Sequence, residues 1–352
     1  MDDLVQDYAR LTSLAQFQLP SASPGAFNRV QDTLLNEILL DPHFRVYPPA
    51  PEYQLRFWKW TIQGLEALID DEDTEIDARI YDRLVELIQS TPNSQLATRD
   101  SAPPSPSYIT HYLRLCPETP NAIHRVTLLE SRTTVEQGTT GLKTWPAAHA
   151  LARWLGKHPE RVKGKRVLEL GSGVGYLGLV VAAIQLDTPE QEKSEPSIWL
   201  TDVNNVVLSR CRDNLDLSCN ASARHRRLRL RQLDWFSALD ADRISSVRGL
   251  MAEADPDVIL GADIVYDPSI IPPLIATLHL AISANKSAGR YPVSALLALT
   301  VRRPETSRRF LDAAEEVFII TTLDITTEEI ELGQNDGHSG QEIIIIQLDM
   351  KD

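Results

Sequence analysis

The run Val167-Leu-Glu-Leu-Gly-Ser-Gly-Val-Gly-Tyr-Leu-Gly178 ends an apolar stretch with an acid and closely spaced glycines. Such a run reads as a buried strand passing through a tight turn into a helix. Glycines there let backbone N–H groups approach a ligand that a Cβ would exclude. The segment points to a nucleotide-like cofactor, and hence to an enzyme. Gly173-Val-Gly-Tyr-Leu-Gly178 also satisfies the GxGxxG pattern of dinucleotide sites. Glu169, two residues before Gly171, favours S-adenosylmethionine over NAD: its carboxylate can meet the cationic amine of the methionine part. A pyrophosphate instead wants the uncluttered positive end of a helix. The plainer reading of Glu169, a strand-end acid capping nearby backbone, stays open. Strand-like Ser197-Ile-Trp-Leu-Thr201 runs into Asp202, suited to ribose hydroxyls in either cofactor.

Ligands of open α/β sheets sit beyond the carboxyl ends of the strands, so the residues closing each strand carry the chemistry. Besides Glu169 and Asp202, these are Asp234-Trp235 and, in Leu260-Gly-Ala-Asp-Ile-Val-Tyr-Asp267, Asp263 and Tyr266. Asp234 is placed to accept from an adenine amino group. Trp235 either covers the ring face or fills the core.

The elements that position these residues alternate. Strand patterns fall at 123–130, 166–170, 198–201, 228–232, 258–260, 295–300, 317–323 and 342–348, and helical ones at 144–155, 177–186, 206–217, 268–283 and 304–316. This predicts a parallel sheet covered by helices on both faces. No helical pattern joins Val317-Phe-Ile-Ile-Thr321 to Ile343-Ile-Ile-Ile-Gln347, which predicts a terminal antiparallel hairpin. The polar stretch 188–197 reads as an insertion. The Pro/Ser run 101–107 reads as a linker between a helical domain at 1–100 and the α/β domain at 108–352. In the first, Leu34, Leu35, Ile38 and Leu39 form one apolar stripe. Phe57, Trp58, Trp60, Ile62 and Leu65 form another, read as core or as a recognition surface, and Asp41 to Pro51 is a proline-broken connection between them.

A hydrophobic content of 43% supports a real core, and no apolar run is long enough for a bilayer. The acidic start Met1-Asp-Asp-Leu-Val-Gln-Asp7 does not read as a signal peptide, so a cytoplasmic protein is expected. The net charge of −14 disfavours general nucleic-acid binding. Arg224-His-Arg-Arg-Leu-Arg-Leu-Arg231 reads as a solvated approach to a strand. Cys116, Cys211 and Cys219 have no metal-ligand spacing and read as reduced thiols; no metal is expected.

Thr139-Thr-Gly-Leu-Lys-Thr-Trp-Pro-Ala-Ala148, the glycine run, Leu233-Asp-Trp235 and Asp263-Ile-Val-Tyr266 occur in this order, and the set resembles the seven-strand protein-lysine methyltransferases (methyltransferase family 16). Leu39-Leu-Asp-Pro-His-Phe-Arg-Val-Tyr-Pro-Pro-Ala-Pro-Glu-Tyr-Gln-Leu-Arg-Phe57 and Gln137 to Pro146 resemble the elongation factor 2 lysine methyltransferases among them. The resemblance implies a Rossmann-like seven-strand sheet plus a small helical N-terminal domain, with S-adenosylmethionine as cofactor and elongation factor 2 as protein substrate. It implies that Trp145 lies against the cofactor, and that Glu169, Gly171, Gly173 and Gly175 hold its methionine part. Asp202 takes the ribose, Asp234, Trp235 and Ala262 complete the cofactor site, and Asp263 and Tyr266 are catalytic at the lysine entrance. The N-terminal domain is expected to contribute substrate recognition. Two other readings stand beside this one, an NAD-dependent oxidoreductase and a methyltransferase fold kept as an inactive binding or chaperone module. A nucleic-acid amino-methyltransferase is disfavoured because Asp263-Ile-Val-Tyr266 stands where such enzymes place Asn/Asp-Pro-Pro-aromatic.

Overall fold

The computed structural model describes residues 2–19, 25–69, 73–90, 104–115, 117, 122–187, 195–283, 292–325 and 341–351. The expected linker (in its first three residues), most of the insertion at 188–197, Cys116 and the turn of the terminal hairpin lie outside them. The chain divides into two compact units, residues 1–112 with 127–134, and residues 113–126 with 135–352.

The first unit is built on helices α1 (Asp2–Ala9), α2 (Ala26–Thr33), α3 (Pro42–Val46), α4 (Pro51–Glu66) and α5 (Ala78–Ser90). Leu34–Leu39 prolongs α2 as a wider π-type turn, closed by the Leu40 N–H donating to Leu35 O at 2.8 Å. The proline-broken connection resolves into two helix starts. Pro42 and Pro51 take first-turn positions, where a missing N–H is harmless, and Asp41 accepts the His43 N–H at 2.8 Å. The aromatic stripe is core: Phe57, Trp58 and Leu65 are fully buried, and the Phe57 ring centroid lies 4.5 Å from that of Tyr8.

Strand β1 (Ser107–Leu113), which the sequence pattern did not reveal, pairs with β2 (His124–Glu130) in a sheet of their own. The strand expected at 123–130 is therefore present but does not join the main sheet.

The main sheet holds β3 (Arg166–Leu170), β4 (Ser197–Asp202), β5 (Leu228–Gln232), β6 (Val258–Ala262), β7 (Ser294–Thr300), β8 (Phe318–Leu323) and β9 (Ile343–Met350), in the order β5-β4-β3-β6-β7-β9-β8. Pairs from β5 through β7 are parallel, while β9 runs antiparallel to both β7 and β8. The terminal hairpin is thus present, with its second strand inserted between β7 and the edge. Helices α6 (Pro146–Lys157), α7 (Tyr176–Leu186), α8 (Asn205–Leu215), α9 (Ile244–Ala254), α10 (Ile271–Ser283) and α11 (Pro304–Glu315) accompany it. Helix α7 is buried from Tyr176 to Gln185, which explains its apolar character all round. No element was expected over α9, where only Val247, Met251 and Ala254 are buried and Arg248, Gly249 and Glu253 fall between them. That apolar face is narrow, but its i, i+4, i+7 spacing is helical.

The order places the carboxyl ends of β3 and β6 side by side at the middle of the parallel part. Ligands of such sheets bind at that crevice.

Candidate active site

Beyond β3 the chain turns sharply. Gly171 has φ +66°, and a Cβ there would stand 2.8 Å from Ile264 Cγ2. The Ser172 N–H donates to Thr201 O at 2.8 Å, and the Thr201 hydroxyl donates to Glu169 O at 2.7 Å, tying the ends of β3 and β4 together. The Asp202 carboxylate completes the turn: Oδ2 accepts the Gly173 N–H at 3.3 Å and Oδ1 the Asn204 N–H at 3.0 Å. Burial raises the Asp202 pKa against these donors.

A cavity of about 440 Å³ opens over this turn. Trp145, Gly171, Gly173, Asp202, Asp234 and Trp235 line it, as do Ala262, Asp263 and Tyr266. A smaller pocket of about 40 Å³ shares Trp145, Gly171, Gly173 and Ala262 with it and adds Glu169. The structure therefore gathers every expected site residue except Gly175 around these two spaces. Gly175 instead starts α7 at φ +94°, and a Cβ there would stand 2.7 Å from Cys211 Sγ. Its glycine has a packing reason, and Gly175→Ala is expected to cost about 1–3 kcal/mol of stability by strain and overpacking. Chemical denaturation of the variant checks this. Adding Cys211→Ala, which removes only the clashing sulfur, should recover the overpacking part.

Glu169 is 3% exposed. Its carboxyl accepts the backbone N–H of Gly178, yet Oε2 is buried and has no hydrogen-bond partner. Desolvation, with the Asp202 charge adding to it, pushes its pKa up to about 8. A buried carboxyl with an unpaired oxygen at the wall of a pocket asks for a cation or a donor.

Asp263 is held at φ +52°, and its side chain is 4% exposed. Oδ1 accepts the Thr300 N–H at 2.9 Å, and Oδ2 accepts the Thr300 hydroxyl at 2.9 Å and Arg302 Nη2 at 3.0 Å. The Ala147 N–H at the start of α6 approaches Oδ2 at 3.4 Å, an acid at the positive end of a helix. This carboxylate is thus committed to fixing β6, β7 and α6 relative to one another. Tyr266 is 59% exposed, and partial burial followed by the Asp202 and Asp267 charges raises its pKa, so the phenol stays protonated at neutral pH. Asp234 caps a short 3-10 turn by accepting the Phe236 N–H at 3.0 Å, and Oδ2 lies 3.3 Å from Arg243 Nη1. Trp235 both packs against the core and lines the cavity.

Sequence reading missed Arg302, which lines the cavity beside Asp263. It follows the carboxyl end of β7, and carrying the strand-end rule one strand further would have found it. Trp145 donates its indole N–H to Thr140 O at 3.1 Å, and the Arg302 guanidinium carbon lies 4.5 Å from the Trp145 ring centroid. Phe236 and Val203, 48% and 56% exposed, add an apolar rim.

A family model described as "Lysine methyltransferase" matches residues 126–317. The protein-lysine N-methyltransferase EFM3 of Chaetomium thermophilum is 35% identical over 288 residues, covering 81% of this chain and 78% of that protein. The human protein-lysine N-methyltransferase EEF2KMT is 29% identical over 285 residues, covering 79% of this chain and 74% of its own length. Sheet order, glycine turn and sequence agree, and the chain belongs to the lysine methyltransferase family.

Proposed function

We propose that this protein transfers a methyl group from S-adenosylmethionine to a lysine ε-amine of a protein, and that the protein is elongation factor 2. The observation that carries the cofactor is Glu169 Oε2, buried and unpartnered in a pocket walled by Gly171 and Gly173. The α-ammonium of the methionine part satisfies it, whereas a pyrophosphate there would meet a second negative group. Bound, the cofactor supplies an electrophilic methyl on a cationic sulfur.

The residues divide the work by position. Gly171 and Gly173 leave room for the methionine part, and the Asp202 carboxylate, already oriented by Gly173 and Asn204, takes the ribose hydroxyls. Trp235 and Phe236 offer flat apolar surface for the adenine, with Asp234 beside them. Ala262 leaves space between the two pockets, and Trp145 walls the other side. Tyr266 at the rim orients the entering lysine through its phenol oxygen, which accepts an amine N–H and leaves the lone pair free. Asp263 acts through the segments it holds rather than by meeting the amine. The lysine must arrive neutral, since its ordinary pKa is about 10.4 and the ammonium has no lone pair. Desolvation in the cavity and a nearby cation both favour the neutral form, and alignment supplies the rest. Solvent takes the proton.

The relative named EEF2KMT and the likeness of residues 39–57 and 137–146 support elongation factor 2 as substrate, and with it a cytoplasmic location. Among the described residues no helix is long and apolar enough to cross a membrane. We assign the helical unit a part in substrate recognition, because the α/β unit alone holds the whole candidate site. The test of the cofactor reading is calorimetric titration with S-adenosylmethionine and with NADH. Saturable binding of the first and none of the second is expected; the reverse would establish a dehydrogenase.

A further inference from the structure

Arg302 stands two residues past β7 on the rim of the cavity, and nothing above gives it a part in the reaction. Its guanidinium is fixed from two sides, by the 3.0 Å bond from Nη2 to Asp263 Oδ2 and by the Trp145 ring 4.5 Å away. A long side chain that is 30% exposed ordinarily samples many rotamers. Here a charge-assisted bond and a cation–π contact hold one. The other charged or titratable groups lining the cavity are Lys143, Asp202, Asp234, Asp263 and Tyr266, with Glu169 in the adjoining pocket. Asp202 and Asp267 are the carboxylates whose charges act on Tyr266, Asp234 faces Arg243, and Asp263 is the cavity carboxylate bonded to Arg302. Alone, it would hold an entering lysine as the unreactive ammonium.

We propose that Arg302 is a positioning residue that sets the protonation state of the substrate lysine. Its fixed guanidinium cancels the Asp263 charge at the rim and disfavours an ammonium beside it. The inference rests on the methyl-transfer reading and adds a determinant of reactivity to it. The lysine Nζ–H bond breaks first and the proton goes to water. The freed lone pair then forms the N–C bond as the sulfur–methyl bond breaks, that electron pair staying on sulfur. The methylated amine, cationic as formed, gives its extra proton to solvent.

The test is the pH profile of single-turnover transfer, with enzyme in excess, from labelled S-adenosylmethionine into an extract of cells lacking this protein. The readout is labelled methyl-lysine after hydrolysis, which does not depend on which protein is the substrate. Arg302→Met should move the acidic limb to higher pH by about one unit, costing about tenfold in rate below the limb. Arg302→Lys, which keeps the charge, should leave the limb in place. Asp263→Asn, which leaves the guanidinium uncompensated, should move it to lower pH. Calorimetric affinity of Arg302→Met for S-adenosylmethionine should stay within about threefold of wild type, since no part of the cofactor reading rests on Arg302. Rates that fall evenly with the limb unmoved in Met and Asn variants alike would overturn the proposal. Should the Met variant lose cofactor binding, the direction of the Asn shift decides. A wild-type enzyme that labels no lysine would overturn the methyl-transfer reading itself, and this proposal with it.

Discussion

Glu169→Gln is expected to weaken S-adenosylmethionine binding by at least about 30-fold, the equivalent of about 2 kcal/mol for one partner of a buried charge pair. The pH dependence gives this expectation a second signature. In the free protein Glu169 titrates near 8, so at pH 7 it is mostly neutral. A bound ammonium favours the carboxylate, and binding must then release close to one proton per cofactor. Calorimetry in buffers of different ionisation enthalpy reads this number directly, and the Gln variant should release none from this site. Stability carries the same sign. A carboxyl whose pKa rises from 4.5 to about 8 on folding stabilises the fold fully below the lower value and loses that contribution as pH climbs to the higher one. The ligand-free wild type should therefore lose denaturation free energy between those values more steeply than Glu169→Gln does. Equal slopes together with unchanged affinity would remove Glu169 from the site.

Asp263→Ala is expected to lower transfer at least about 100-fold while costing about 2–4 kcal/mol of stability, as backbone donors lose their acceptor and Arg302 its partner. Both losses follow from one geometry. The carboxylate bonds Thr300 at the end of β7, Arg302 beyond it and Ala147 at the start of α6. Without it, the cavity wall that carries Trp145 is no longer fixed to the sheet, and small misplacements of reacting groups are costly. Thr300→Val, which removes only the hydroxyl bond, should cost about 1 kcal/mol and a correspondingly small part of the rate. Denaturation curves and single-turnover rates check the pair. A destabilised Ala variant that still transfers at the wild-type rate would confine Asp263 to the scaffold.

The parts of this site visible in the sequence are those set by local rules. A parallel strand buried on both faces must be apolar throughout, so the first polar residue after it marks its carboxyl end. Asp202 and Asp263 were found that way. Glu169 was found as the acid inside the apolar run of β3 and Asp234 by its place two residues past the polar edge strand β5, and the cavities gather them all. The reversed strand was readable too, because residues 324–342 carry no helical pattern of the kind a parallel crossover ordinarily uses. What stayed hidden depends on tertiary contacts. Strand β1 shows a burial pattern that repeats every third residue, without the alternation that marks a half-buried strand. The pairing of β2 with it, away from the main sheet, cannot be read from β2 alone. The role of Asp263 changed for a similar reason: its type and spacing were plain, but its partners Thr300, Arg302 and Ala147 lie 37, 39 and 116 residues away in sequence. Gly175 looked like a cofactor glycine because it shares the motif, and the Cys211 side chain packed against it belongs to the following βα unit.

The measurement that bears most directly on the central claim is methyl transfer from labelled S-adenosylmethionine by the purified protein. The acceptor is an extract of cells lacking it, with products separated by size and the labelled protein identified by mass spectrometry. The account predicts one labelled band, elongation factor 2 methylated on lysine, that fades with Glu169→Gln at limiting cofactor. Label on a different protein would keep the chemistry and reject that substrate. No label despite measured cofactor binding would contradict the account and leave a binding module in its place.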